Sequence, residues 1–142
     1  MEKDSALIQK YLIRGWDFTK AGEASCEIKN TLKEIGIPPE IIRRVAIASY
    51  EAEMNVVMHA RQATMRCQIT SKHITITLDD EGPGIENIDR AMQEGFSTAT
   101  PEMREMGFGA GMGLPNIKRN SDEFKISSVV DRGTKLTMIF NL

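Results

Sequence analysis

From about residue 20 to residue 60 the apolar side chains recur every three or four positions, and over Met65 to Leu78 they alternate. A helix meets its core with residues 3.6 apart and a strand with residues two apart, so the two halves predict different elements. In the first half, Asp17 and Thr19 offer N-caps for a helix whose apolar side is Ala21, Ala24, Ile28, Leu32 and Ile35. Gly36 closes that helix and Pro38-Pro39 prevents its continuation. A second helix is predicted from about Glu40 to Ala60, with Val45, Ala48, Ala52, Asn55, Val56 and His59 facing inward. In the second half, Met65, Cys67, Ile69 and then Ile74, Ile76, Leu78 read as a hairpin across Ser71-Lys72-His73. Ala6 to Ile13 reads as an imperfectly alternating strand. Lys125 to Val130 and Lys135 to Phe140 read as two more, joined by Asp131-Arg132-Gly133. Asp80 to Gly84 is a turn, Ile88 to Glu94 a short helix, and Leu114 to Phe124 a helix with Pro115 near its start. Helices early and strands late imply a two-layer α/β (α+β) sandwich, a mixed, mainly antiparallel sheet with helices on one face.

The 142 residues suit one domain, 1–142, large enough to bury a core without disulfides or a structural metal. A net charge of -2 offers no whole-chain basic field for nucleic acid or an anionic membrane. Cys26 and Cys67 form no CxxC or Cys/His grouping and are expected to be reduced, buried thiols. No apolar run approaches the roughly 20 residues that span a bilayer, and the first residues lack a signal-peptide core. The expectation is a soluble, cytoplasmic protein.

Three motifs carry chemistry. Glu51 and Asn55 are four apart on the second helix, on the stripe of Ala48, Ala52 and Val56. A carboxylate and an amide there are costly unless they meet a cation, water or a ligand, although the polar edge of an amphipathic helix explains the pair equally well. Glu53 lies roughly 200° around the helix from Glu51 and is expected to face solvent. Asp80 leads into Gly82 and Gly84, where the backbone can turn sharply and a flat ligand can approach without a Cβ in the way. Its carboxylate could accept from an exocyclic amine; alone, an ordinary acidic turn explains it better. Gly95 to Gly113 is a long loop with little periodic signal, and such loops are commonly functional or disordered. Within it Gly107, Gly109, Gly111 and Gly113 recur at every second position ahead of the helix at Leu114, a pattern that exposes N–H groups to phosphates. No strand precedes these glycines and no Gly-Lys-Ser/Thr follows, which argues against a Rossmann site and excludes a Walker loop. Ser97 and Thr98 stand beside this segment, and His59 reads as a satisfied histidine at the core edge.

These residues resemble a known family. Glu51-Ala-Glu-Met-Asn55 is similar to the N box of the GHKL (Bergerat-fold) ATPase superfamily. Asp80-Glu-Gly82-Pro-Gly84-Ile85 resembles its G1 box, Gly107 to Gly113 its G2 lid, and Gly133-Thr134 its closing Gly-Thr. Within the superfamily the chain looks like the anti-sigma regulatory factor and switch-protein serine/threonine kinases of RsbT type. The run Glu94-Gly95-Phe96-Ser97-Thr98 … Gly109-Ala110-Gly111-Met112-Gly113-Leu114-Pro115 … Asp122-Glu123-Phe124 carries that likeness.

The resemblance implies a kinase for which ATP and Mg²⁺ are the cofactors and a serine on a STAS-domain anti-anti-sigma (antagonist) protein is the acceptor. Neither nucleic acid nor membrane is implied as a partner, and a homodimer is left open. Glu51 would be catalytic, orienting or deprotonating the attacking hydroxyl, and Asn55 would ligate the metal. Asp80 would read adenine, with Thr134 in support through water. Gly82, Gly84, Ile85, Ser97, Thr98, Gly107, Gly109, Ala110, Gly111, Met112, Gly113 and Leu114 would line the nucleotide. Departures include Ala60 in place of the glycine that frequently follows the histidine, and an extra segment, Pro101 to Met106, that holds Arg104. Arg14 and Lys20 lie near positions where relatives meet partners, a role not carried over to them. Two other readings stand beside the kinase: an ATP-sensing regulatory subunit without phosphotransfer, and a detached histidine-kinase catalytic domain. The presence of both Glu51 and Asn55 favours catalysis over a sensor. The lid sequence, and no dimerisation helix pair with a phosphoacceptor histidine in the chain, disfavour the histidine kinase.

Overall fold

The computed structural model describes residues 6–93 and 113–142. In chain order the elements are β1 (Leu7–Arg14), α1 (Glu23–Glu34), α2 (Pro39–His59), β2 (Gln62–Ile69), β3 (His73–Glu81), α3 (Ile88–Ala91), α4 (Gly113–Asn120), β4 (Glu123–Val129) and β5 (Gly133–Asn141). The strands form one sheet in the order β1-β2-β3-β5-β4. Every pairing among them is antiparallel, so the mixed sheet expected from the sequence is wholly antiparallel across the described strands. Hairpins join β2 to β3 and β4 to β5, α1 and α2 lie between β1 and β2, and no parallel pair is formed among the described residues.

Period-two alternation decides which side of the sheet is core. Met65, Cys67, Ile74, Ile76, Leu78, Leu136, Met138 and Phe140 point to one face and are buried. There they meet Ile28 and Leu32 of α1, Val45, Ala48, Ala52 and Val56 of α2, and Ile117 of α4 in one cluster. Pro39 opens α2, where its missing N–H costs nothing, and Gly36, at φ 84°, turns the chain after α1. No described helix is long and apolar enough to cross a membrane.

Other sequence expectations change as well. The first concerns the start of α1, which is capped neither by Asp17 nor by Thr19. The Thr19 hydroxyl donates to Asp17 instead (2.8 Å), and the N-cap is Gly22, at φ 96°. The second concerns Glu53, expected in solvent but only 2% exposed. A helical wheel assumes one buried side, whereas α2 packs against α1, α4 and the sheet and is buried over much of its circumference. The Glu53 carboxylate then does what the absent cap would have done. It accepts from the N–H groups of Gly22 (3.0 Å), Ala24 (3.3 Å) and Ser25 (3.0 Å) at the positive end of α1.

The third concerns α4, which ends at Asn120 rather than running to Phe124. Asp122 is drawn to the sheet edge, its N–H donating to the Ile139 carbonyl (2.8 Å) and its carboxylate accepting from Asn141 N–H (2.7 Å). Phe124 therefore lies in a strand and pairs with Met138. Cys67 is buried, and burial pushes its thiol up to about 12; Cys26 is exposed, contrary to expectation, and both are free.

Candidate functional site

Helix α2 carries the first part of the site. Glu51 and Asn55 lie one turn apart, both half-buried, on the side that faces α4. Asn116, one turn into α4, donates from Nδ2 to Glu51 Oε2 (3.1 Å). Gly113, the first residue of α4, lies so near Asn55 that a Cβ there would be 3.3 Å from its Oδ1. Farther along, Arg44 of α2 donates to the Asn120 carbonyl (3.0 Å) and pairs with Asp122 (3.0 Å). The two helices thus run side by side in opposite directions, 55, 51 and 44 meeting 113, 116 and 120. Glu51 Oε1 has no protein donor among the described residues.

Strands β3 and β5 carry the second part. Asp80 stands on the core-facing side of β3, opposite Ala63 of β2, rather than in the turn beyond the strand. Its Oδ1 accepts the N–H of Thr134 (3.0 Å), and its Oδ2 has no protein donor among the described residues. Burial raises the Asp80 pKa above the ordinary aspartate range; the Thr134 N–H opposes that rise and neighbouring Asp79 adds to it. Thr134 thus bonds Asp80 through its backbone. Its hydroxyl turns to Ser128 (2.9 Å).

Ser128 belongs to none of the sequence motifs. Its Oγ accepts from Ile85 N–H (2.8 Å) and lies 3.1 Å from the Gly133 carbonyl, tying the turn after β3 to the β4–β5 hairpin. The sequence does hold a signal for it: Phe124, Ile126 and Ser128 share one face of β4, and a hydroxyl at the end of such a stripe needs a partner.

Glycines permit the close approaches that bring these parts together. A Cβ on Gly133 would fall 1.9 Å from the Asp80 carbonyl oxygen. One on Gly84, whose φ is 76°, would fall 2.5 Å from the Val129 carbonyl oxygen. Gly82 packs on Ala60, the residue that ends α2, and Arg61 N–H donates to the Glu81 carbonyl (2.7 Å). Since a helix rises 1.5 Å per residue, Asn55 lies roughly 7 Å along the axis from that contact.

The sheet end with Asp80 and the polar stripe of α2 therefore border one region. Leu114 adjoins it at the start of α4, and His59 is half-buried near the end of α2 with its pKa lowered by burial. The expected contacts of Ser97, Thr98, Gly107, Gly109, Ala110, Gly111 and Met112 lie outside the described residues. A separate cavity of about 320 Å³ opens between β1 and the start of α1. Arg14, Lys20 and Glu53 line it, whereas Glu51, Asn55 and Asp80 do not, and its mixed charges select no ligand.

The donor set suits a magnesium nucleotide. Asn55 offers a hard carbonyl oxygen of the kind Mg²⁺ accepts, and Asp80 keeps a carboxylate oxygen with no protein donor among the described residues, able to accept from an exocyclic amine. The sequence also matches known proteins. The histidine kinase-like ATPase domain family matches residues 18–140. The serine/threonine-protein kinase RsbT of Bacillus subtilis is 31% identical over 128 residues, 87% of this chain and 88% of its own. The anti-sigma F factor of Caldanaerobacter subterraneus is 36% identical over 104 residues, 70% of this chain and 69% of its own. That of Clostridium acetobutylicum is 32% identical over 117 residues, 79% of this chain and 73% of its own. With its N box on α2, its G1-box aspartate on β3 and the closing Gly-Thr on β5, the chain belongs to the histidine kinase-like ATPase domain family of the GHKL superfamily.

Proposed function

We propose that this chain is a single-domain, ATP- and Mg²⁺-dependent protein serine/threonine kinase whose acceptor is a serine on a STAS-domain antagonist protein, acting in a partner-switching pathway. The observation that carries the reading is the placement of Glu51 and Asn55. Both polar ends lie along the start of α4, Glu51 bonded to Asn116 and Asn55 against Gly113, and Glu51 keeps one oxygen open. Bound ATP supplies the phosphoryl group, and Mg²⁺ offsets the negative charge on its oxygens. Glu51 Oε1 would take the proton of the acceptor hydroxyl. Asn55 would hold the metal, and Asp80 the adenine amine. Such an enzyme works mainly by positioning and charge stabilisation, so a short set of polar side chains on a rigid helix is enough. The names of the RsbT kinase and the anti-sigma F factors support a regulatory protein as partner.

The test incubates the protein with labelled ATP, Mg²⁺ and candidate STAS-domain proteins, with Asn55→Ala as control. Label on an acceptor serine that disappears in the variant supports the kinase. Nucleotide binding with no transfer to any candidate overturns it in favour of an ATP-sensing regulator.

A further inference from the structure

We infer that Asn116 is a positioning residue for Glu51, holding one carboxylate oxygen so that the other meets the acceptor hydroxyl; this rests on the kinase reading above. The chemistry of the contact fixes the amide's orientation. An ionised carboxylate only accepts hydrogen bonds, so the amide must turn Nδ2 towards Glu51 Oε2, at 3.1 Å. Behind it, Asn120 Nδ2 donates to the Asn116 carbonyl oxygen (2.9 Å) and lies 3.3 Å from its Oδ1. Asn120 is held in turn by Arg44, which donates to its carbonyl (3.0 Å) and pairs with Asp122 (3.0 Å). Glu51 is therefore oriented by a chain of bonds that begins and ends on α2 and passes through α4. The far end of that chain is braced at the sheet edge, where Asp122 accepts from Asn141.

A glutamate has three rotatable side-chain bonds, and a half-exposed one samples many rotamers in water. Fixing Oε2 removes most of that freedom before the acceptor arrives, which lowers the barrier to proton transfer without adding to ATP binding. Asn116 touches neither Asn55 nor Asp80 by any bond among the described residues, so its effect should fall on turnover.

The experiment has two readouts. The first is NMR of the Asn116 side-chain amide, which should move on Glu51→Ala whether or not an acceptor is known. The second is phosphotransfer. Asn116→Ala should lower kcat about tenfold, the range of one bond to a charged group, with KM for ATP within about twofold. Asn116→Gln, which keeps the donor on a longer arm, should recover part of the loss. In a Glu51→Gln background Asn116→Ala should cost nothing further, because both changes remove one unit. An amide signal indifferent to Glu51→Ala, an unchanged kcat, or an equal loss in the Glu51→Gln background overturns the inference. A moving amide signal in a wild-type protein that transfers to no acceptor overturns the kinase reading instead and leaves the contact standing.

Discussion

The N–H of Thr134 donates to Asp80 Oδ1 at 3.0 Å across the β3–β5 ladder, and the residue before it, Gly133, has no room for a side chain beside the Asp80 carbonyl. One carboxylate oxygen is thereby held by the sheet, and the other has no protein donor among the described residues. The sheet carries the cost of a half-buried charge, which shows in the raised Asp80 pKa.

That cost makes stability and binding separable. An aspartate with a raised folded pKa favours the fold when protonated. The contribution is complete below the unfolded value of about 3.9 and is lost as pH rises through the folded value. Asp80→Asn should therefore leave the melting temperature at pH 7 unchanged or higher, while ATP affinity falls. In the wild type, ATP affinity should fall on acidification at a pH above the ordinary aspartate range. Calorimetry of binding and of unfolding on the same samples checks both.

Gly133→Ala should damage the fold and the site together, since the new Cβ would overlap the Asp80 carbonyl. Overpacking of this kind costs about 1–3 kcal/mol. Chemical denaturation should register that loss together with weakened ATP binding. Normal stability with normal binding would contradict the close approach.

Glu53→Ala should destabilise the protein by about 1–3 kcal/mol, because three N–H groups at the start of α1 lose their acceptor. At about 4 °C per kcal/mol for a domain of this size, thermal melts should show a clear drop. Hydrogen exchange should quicken at Ala24 and Ser25 before it does in β3.

Gly113→Ala should act through Asn55. Its Cβ would press on Oδ1 at 3.3 Å, and the amide must yield by a few tenths of an ångström. The expected result is about a tenfold loss of Mg²⁺-dependent transfer, with metal-free nucleotide affinity retained. Titrating Mg²⁺ against the transfer rate separates the two.

Asp122 carries the opposite pH signature to Asp80. Its bond from Asn141 N–H, more than its contact with Arg44, holds its pKa below the ordinary range. A depressed carboxylate stabilises the fold above its unfolded pKa and loses that contribution as pH falls through the folded value. Asp122→Asn should thus melt lower than the wild type at pH 7, the gap closing below pH of about 3.9. A gap that persists in acid would assign the effect to packing.

Much of the fold is legible in the order of residues alone. Alternation over Met65 to Ile69 and Ile74 to Leu78 locates β2 and β3 because an antiparallel hairpin with one dry face leaves that pattern. Proline and glycine mark the boundary between α1 and α2 for equally local reasons. Where periodicity misleads, the cause is shared. It sends Glu53 to solvent because its neighbours in sequence do not include α1. It extends α4 to Phe124 because Asp122 bonds to β5, nineteen residues on. Asn116 and Ser128 carry no motif because neither has a meaning apart from a partner on another element.

The sequence by itself determined most of the element types, the family and the candidate polar residues of its motifs, since these rest on periodicity, backbone permissiveness and short motifs, all of them local. Only the tertiary structure decided how those residues are held. It put Glu51 under Asn116, Asn55 against Gly113, and one oxygen of Asp80 on the backbone of Thr134. Each contact joins segments more than fifty residues apart in the chain, and hydrogen bonds act over about 3 Å, so no reading along the chain could supply them.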